Sequence, residues 1–144
     1  MSNELKLTIE LPTGVFLDTD VSGVIIPAVR APVEILPERA PSVFVLDFGV
    51  LEIVERGNLQ KEKFFIYSGA ADVAQNHCKI MTQEVVPATD ITINQAKERA
   101  ENAHDEVERL FYEMIVDNMR GARRRYLRTL QIYARKSGRL VFKK

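Results

Sequence analysis

The residues of this chain that could take part in chemistry are few and scattered. The only cysteine, Cys78, directly follows His77, and the other histidine, His104, is far away in sequence. A metal ion or an activated nucleophile needs side chains that converge, whereas neighbours in a β-strand point to opposite faces. We therefore interpret His77 and Cys78 as one exposed and one buried strand residue, and not as a site.

Other signatures of catalysis are also missing from the sequence. No glycine-rich loop is followed by Lys and Ser or Thr, so no phosphate-binding loop is predicted. Carboxylates are plentiful, but no pair stands in an apolar stretch that would raise a pKa. We predict no catalytic residue, no metal site and no cofactor, and therefore a chain that is not an enzyme in its own right.

Charge is distributed very unevenly along the chain, although the net charge is zero. No Asp or Glu occurs after Asp117, so residues 1–117 carry a formal charge of −10 and the tail carries +10. The ten basic residues of the tail are Arg120, Arg123, Arg124, Arg125, Arg128, Arg135, Lys136, Arg139, Lys143 and Lys144. Such segregation suggests an acidic partner for the tail or a contact between the two halves.

Three hypotheses account for this basic tail. It could be a solvated helix face, a docking face for an acidic protein surface, or a nucleic-acid-binding helix built on Arg123, Arg124 and Arg125 with Tyr126 and Tyr133. The charge of −10 on the rest of the chain is unfavourable for nucleic acid. We therefore predict an acidic protein partner and no nucleic acid.

Short β-strands are predicted from residue 3 to about residue 86. Leu5, Leu7 and Ile9 alternate with polar residues, which is the pattern of a half-buried strand. Further β-rich runs cover residues 15–17, 24–26, 43–46, 50–54, 64–67 and 79–81, separated by prolines and glycines. This spacing is typical of an all-β sandwich or barrel.

After Pro87 the spacing of the apolar residues becomes helical, with Thr89 or Asp90 as the predicted cap. One apolar stripe comprises Ala96, Ala100, Ala103, Val107, Leu110 and Met114, and a second comprises Met119, Ala122, Tyr126, Leu130 and Tyr133. Two stripes that each need a partner predict an antiparallel α-helical hairpin. The predicted fold class is α+β, with a sandwich domain at 1–88 and the helical hairpin at 89–144.

The hairpin turn has two candidate positions. One is Gly121, and the other is the segment 102–105, where Asp105 and Glu108 resemble a capping box. Because the first stripe continues through residue 105 without a break, we expect the turn at Gly121.

Four stretches, taken in order, resemble the epsilon subunit family of F-type ATP synthases, which is called delta in mitochondria. Residues 31–41 match Gly-acidic-x-Gly-Ile-Leu-Pro-Gly-His-Ala-Pro at Ile35-Leu36-Pro37 and at Ala40-Pro41. Residues 67–73 resemble Ser-Gly-Gly-x-x-Glu-Val with one residue fewer, residues 79–84 fall on a family strand, and residues 96–101 resemble the first C-terminal helix. Glu34 and Glu38 replace two family glycines, and Arg39 replaces the histidine.

The resemblance implies a sandwich of about ten strands that binds the gamma subunit and the membrane c-ring, followed by the hairpin, both turning as part of the central stalk. The implied contact residues are Pro32, Val33, Glu34, Glu38 and Arg39. The basic helix face with Arg120, Arg123, Arg124 and Arg128 is then expected to restrain ATP hydrolysis by docking on the alpha/beta catalytic head. The implied location is peripheral to the membrane, on the cytoplasmic face in bacteria or the matrix side in mitochondria.

Some bacterial relatives bind ATP in the hairpin through Ile-or-Leu-Asp-x-x-Arg-Ala. The corresponding residues 90–96 lack the Asp and the Arg in register, so we predict no ATP binding. The alternative hypothesis for the whole chain is a free-standing β-sandwich adaptor whose basic tail binds nucleic acid or an acidic protein.

Overall fold

The computed structural model describes residues 4–55, 57 and 62–121 of the chain. The described residues form ten strands, a short 3-10 helix and two α-helices, and they divide into two compact units between Ile91 and Thr92. This order confirms the predicted fold class. The strands are β1 Leu5–Leu11, β2 Gly14–Val21, β3 Gly23–Ile26, β4 Val33–Ile35, β5 Ser42–Leu46, β6 Gly49–Val54, β7 Glu62–Ile66, β8 Gly69–Ala74, β9 His77–Thr82 and β10 Val85–Pro87.

The first unit consists of two five-stranded sheets that share one hydrophobic core. The first sheet has the order β2-β1-β9-β8-β5 and the second has the order β10-β7-β6-β3-β4. The pairing of β1 with β9 is parallel, and the other pairs are antiparallel. Leu5, Leu7 and Ile9 of β1 are fully buried in the core, so the alternation in the sequence correctly predicts which face of β1 points inward.

Aromatic and backbone contacts close the edges of the sandwich. Phe16 of β2 meets Phe64 of β7 edge to face, with ring centroids 6.1 Å apart, and so joins the two sheets. At the opposite edge, the backbone N–H of Val29 donates to the carbonyl of Val45 at 3.1 Å. The segment before β4 therefore covers part of edge strand β5, which leaves fewer unpaired backbone groups there.

The second unit begins with helix α1, Ile93–Glu101, which is capped by Thr92. The Thr92 hydroxyl accepts from the Gln95 N–H at 3.1 Å, and the Gln95 side chain accepts from the Thr92 N–H at 2.9 Å. This reciprocal pair is a capping box. The predicted caps Thr89 and Asp90 were wrong, because both lie in the 3-10 helix Ala88–Asp90.

Helix α2, Glu106–Met119, is separated from the end of α1 by only four residues. The Asp105 carboxylate accepts from the Glu108 N–H at 2.8 Å, and the Glu108 carboxylate accepts from the His104 N–H at 2.8 Å. These bonds satisfy backbone groups at a helix start. The connection is therefore the segment 102–105, and the expectation of a turn at Gly121 was wrong.

The first apolar stripe predicted the wrong turn position because its residues belong to two separate helices. Val107 and Leu110, which belong to that stripe, are 47% and 40% exposed. Phe111 and Ile115, one helical turn apart, are fully buried instead. The cap at Asp105 starts a new helix whose inner face differs from that of a continuous one.

Neither described α-helix is long and apolar enough to cross a membrane.

Candidate functional site

The five predicted contact residues lie in edge strand β4 or next to it, within residues 32–39. We call this segment the contact loop. Pro32 precedes β4, Val33 and Glu34 lie in it, and Glu38 and Arg39 lie in the connection to β5. Val33 is half-buried against the core, and the other four residues are exposed. The contact loop therefore presents three charged side chains together with the half-exposed Leu36 on a rigid support, as loops that carry contacts often do.

The turn after β4 keeps the backbone shape of a Pro-Gly pair without the glycine. Glu38 follows Pro37 and has a φ of 66°, in the left-handed region. Pro followed by a residue with positive φ is typical of a type II turn, where glycine is favoured. The family pattern has glycine at this position, so the replacement by Glu38 leaves the conformation in place at an energetic cost.

A hairpin on the neighbouring sheet holds this turn. The backbone N–H of Glu38 donates to the side-chain oxygen of Asn76, in the turn between β8 and β9. The carbonyl of Asn76 accepts from the Lys6 N–H at 2.9 Å. Asn76 therefore connects the contact loop, the β8–β9 hairpin and the start of β1.

Arg39 is also fixed to the sandwich, through an aromatic ring. Its guanidinium carbon lies 5.4 Å from the centroid of the Phe44 ring in β5, within the range of a cation–π contact. Phe44 lies in register with buried Ala71 and packs against the core, so this contact holds Arg39 at the edge of β5 on the face opposite Val43 and Val45.

The outer face of the first sheet carries a row of mainly apolar side chains. Strand register places Val45 beside Ala70, Ala70 beside Met81, Met81 beside Glu10, and Glu10 beside Val15. We call these five residues the outer row. Such a row crosses the whole sheet because residues in register share a face.

Edge strand β5 contributes the most exposed apolar side chains of this face. Val43 is 76% exposed and Val45 is 67% exposed, and Val29 beside them is also exposed. A contiguous exposed apolar surface next to charged residues is typical of a protein-binding site. The sequence pattern predicts only a strand at residues 43–46. The signal that could have revealed this surface is the run Val-Phe-Val-Leu, which leaves apolar residues on both faces of an edge strand.

The next rows of the outer face are polar except for Val43, which lies in register with Asp72. Thr8 lies in register with Lys79, and its hydroxyl is 2.8 Å from Nε2 of His77. Ion pairs at 3.4 Å and 3.7 Å join Lys79 to Glu10 and Lys6 to Asp18. The outer face thus has an apolar row bordered by self-compensating charges, which favours one orientation of a bound partner.

The interpretation of His77 and Cys78 agrees with the structure. His77 is half-buried on the outer face, whereas Cys78 is fully buried in the core. Burial, with the charge of Asp72 added, raises the pKa of the Cys78 thiol to about 12, so the thiol stays protonated and unreactive at neutral pH. No cluster of three His, Cys, Asp or Glu suited to a metal ion occurs among residues 4–55, 57 and 62–121.

Only one residue of the predicted basic face can be placed. Arg120 caps the C-terminus of α2, where its N–H bonds to the Val116 carbonyl at 3.1 Å. Positive charge at this helix end is favourable. Arg123, Arg124 and Arg128 lie outside the described residues.

Comparison with known proteins identifies the sandwich. Residues 4–88 match the family model of the ATP synthase delta/epsilon chain β-sandwich domain. The ATP synthase epsilon chain of Gluconacetobacter diazotrophicus is 24% identical over 125 residues, which are 83% of this chain and 88% of that one. The epsilon chain of Carboxydothermus hydrogenoformans is 27% identical over 109 residues, 76% of this chain and 80% of that one.

A solved structure supports the same fold. A chain in the Euglena gracilis mitochondrial ATP synthase, in a structure of its OSCP, F1 and c-ring, aligns with a TM-score of 0.60 at 22% identity, covering 81% of this chain and 77% of that one. With more than half of its residues matched by the family model, this chain belongs to the ATP synthase delta/epsilon chain family.

Proposed function

We propose that this chain is a non-catalytic rotor subunit in the central stalk of an F-type ATP synthase. It links the gamma subunit to the membrane c-ring during ATP synthesis coupled to ion transport. The observation that carries this proposal is the family match over the entire sandwich, residues 4–88, together with the exposed valines of β5, the strand that follows the contact loop. The proposed location is peripheral to the membrane, on the cytoplasmic face in a bacterium or the matrix side in a mitochondrion.

A subunit that transmits torque must resist shear between its contacts, and the sandwich is suited to this task. Its two sheets share a core in which Leu7, Leu51 and Ile80 are fully buried. The contact loop leads from edge strand β4 of one sheet to edge strand β5 of the other. Force applied to the loop is therefore carried by both sheets, and a closely packed core deforms little.

The gamma subunit is proposed to cover the β5 edge and the outer row. Val43 and Val45 supply apolar area that a partner can bury, worth about 1.5–3 kcal/mol per fully buried side chain. Arg39, held against Phe44 on the other face of the same strand, supplies a charge at this edge of the sheet. This arrangement of an apolar centre and a polar rim is typical of stable protein interfaces.

Charge introduced at the β5 edge tests this interface. Val43→Asp with Val45→Asp should weaken binding of the full chain to purified gamma subunit at least tenfold, since carboxylates would be buried without partners. The matched control is Val107→Asp, an exposed valine on α2, which should leave the affinity unchanged. Equal affinity of both variants for gamma would show that β5 does not lie in the interface.

The contact loop is tested by charge reversal. Glu38→Arg together with Arg39→Glu keeps the sum of the charges and exchanges their positions. We expect weaker assembly of the chain with gamma and the c-ring, because the arrangement of charge fixes the register of an interface. An unaltered fold by circular dichroism is the control, and normal assembly of the reversed chain would contradict the role of the loop.

The basic tail is proposed to restrain ATP hydrolysis by docking on acidic surfaces of the alpha/beta head. The support is the complete absence of Asp and Glu after Asp117, because a solvated helix gains from mixed i,i+4 pairs. Exposed ion pairs contribute only about 0–1 kcal/mol each, so Arg120, Arg123, Arg124 and Arg128 must act together.

Truncation tests the restraint without disturbing α2. Ending the chain after Gly121, or replacing the four arginines by Ala, should raise ATP hydrolysis by the purified complex. The increase should shrink with salt, since the Debye length is about 8 Å at physiological ionic strength. Unchanged hydrolysis at low as well as high salt would leave the tail without a regulatory role.

A further inference from the structure

The turn between β8 and β9 contains an asparagine whose side chain and backbone bond to different parts of the sandwich. Gln75 and Asn76 have φ values of 51° and 58° and form a two-residue connection, as in a type I′ hairpin turn. The Asn76 carbonyl is tied to the N–H of Lys6, and the Asn76 amide oxygen accepts from the Glu38 N–H. The turn thus joins β1 to the contact loop.

We infer that Asn76 is the positioning residue of the contact loop, an inference that rests on the proposed role of that loop in binding. The Asn76 side chain holds the Glu38 backbone in a left-handed conformation that the family pattern assigns to glycine. Glycine adopts positive φ without a steric penalty, whereas Glu38 has a Cβ and does not. A hydrogen bond to its N–H favours the native turn over extended alternatives.

Asparagine fits this task better than most residue types would. Apart from glycine, Asn and Asp are the residues that most readily adopt positive φ, and a hairpin turn at this position requires it. Glycine would satisfy the turn but offers no side-chain oxygen to Glu38. Asn76 therefore meets two requirements at once, one from its own hairpin and one from the contact loop.

Two hydrogen-bond partners on different elements also fix where the loop lies. Because the Asn76 carbonyl is held by Lys6 of β1, its side chain cannot move far from the sheet. Glu38 and Arg39 are consequently held near the β5 edge, where Arg39 stacks on Phe44. Loss of the Asn76 side chain should release the loop while the sheets stay paired.

The test compares three variants of the full chain. Asn76→Gly removes the acceptor and keeps the turn geometry, Asn76→Asp restores an acceptor oxygen, and Gln75→Gly is the matched control in the same turn. Three properties are measured: amide hydrogen exchange at Glu38 by NMR, thermal unfolding, and affinity for the purified gamma subunit of the same synthase.

For Asn76→Gly we expect exchange at Glu38 to speed up about tenfold, the upper end of what one hydrogen bond contributes. Its affinity for gamma should fall about three- to tenfold, while the midpoint of thermal unfolding does not fall, since glycine suits the turn. Asn76→Asp should resemble the unmodified chain in exchange at Glu38 and in affinity for gamma, and Gln75→Gly should change neither of these two properties.

Unchanged exchange at Glu38 in Asn76→Gly would overturn the inference, as would an equal loss of affinity in Gln75→Gly. The proposed function fails separately: an unmodified chain that does not bind gamma would overturn the rotor role. The exchange measurement on the free chain would then still decide whether Asn76 holds the contact loop.

Discussion

At the scale of single residues, the contact loop keeps a strained conformation that a glycine would relieve. Glu38 has a φ of 66°, and a residue with a Cβ pays about 1–2 kcal/mol there. We predict that Glu38→Gly raises the free energy of unfolding by about 0.5–1 kcal/mol, after the entropy cost of glycine is subtracted. Urea unfolding measures it.

The control for this prediction is Glu38→Ala, which removes the same carboxylate and keeps the Cβ. It should change stability by less than about 0.5 kcal/mol, as exposed substitutions usually do. Equal stability of the two variants would mean that the backbone at residue 38 is not strained.

Gly69, at the start of β8, is a position where the backbone of a neighbouring strand leaves no room for a side chain. Its φ is 149°, and a Cβ placed there would lie 1.9 Å from the carbonyl oxygen of Met81. Gly69→Ala should therefore destabilise the sandwich by more than about 3 kcal/mol, combining backbone strain and overpacking.

Gly14 provides the comparison, because its φ of 137° is similar and no atom lies within 4 Å of a Cβ added there. Gly14→Ala should cost only about 1–3 kcal/mol from the backbone alone. If both substitutions lower the midpoint of urea unfolding equally, the close approach of Gly69 to Met81 does not add to the loss of stability.

Residue-level features differ in how far they can be predicted from sequence. Alternation predicts the inward face of β1, because strand periodicity depends only on local sequence. The exposure of Val43 and Val45 depends on which strand ends up at the edge of the sheet, and so on pairing between distant segments. The bond from Glu38 to Asn76 spans 38 positions, and no local pattern indicates it.

At the scale of elements, the start of α1 is fixed by the Thr92 capping box. Thr92→Ala should cost about 1 kcal/mol of local stability, because the Gln95 N–H loses its acceptor. Amide exchange in the first turn of α1 should speed up about fivefold. Thr89→Ala, at the cap predicted from sequence, should leave this exchange unchanged, and the opposite ranking would contradict the observed helix start.

Sequence periodicity predicts well that a long, clearly patterned strand or helix exists. It predicts poorly the residues at which that element begins and ends. Seven of the ten strands contain the β-rich runs identified from sequence. β4 and β10 are three residues long, and β8 is rich in Gly and Ala. β4 and β10 are too short to show a periodicity although Val and Ile favour strands, whereas the Gly and Ala of β8 have a weak β preference. All three strands form by pairing with their neighbours.

At the scale of the whole molecule, the sandwich is predicted to fold on its own. The two units divide after Ile91, a buried residue, so a chain of residues 1–91 should unfold cooperatively and bind gamma. A chain of residues 1–88, which ends at the boundary predicted from sequence, should also fold. Urea unfolding of both compares them, and a molten 1–91 chain would contradict an independent domain.

The most direct test of the rotor role is to identify the proteins that bind this chain in its own cell. The chain should be tagged at its N-terminus, isolated from gently solubilised membranes, and its partners identified by mass spectrometry. We predict that gamma, the c-ring and the alpha and beta subunits are recovered together, and that Val43→Asp with Val45→Asp reduces this recovery while Val107→Asp does not. Recovery of the chain free of gamma and c-ring, or bound instead to nucleic acid or another acidic protein, would contradict the rotor role and favour a free-standing adaptor.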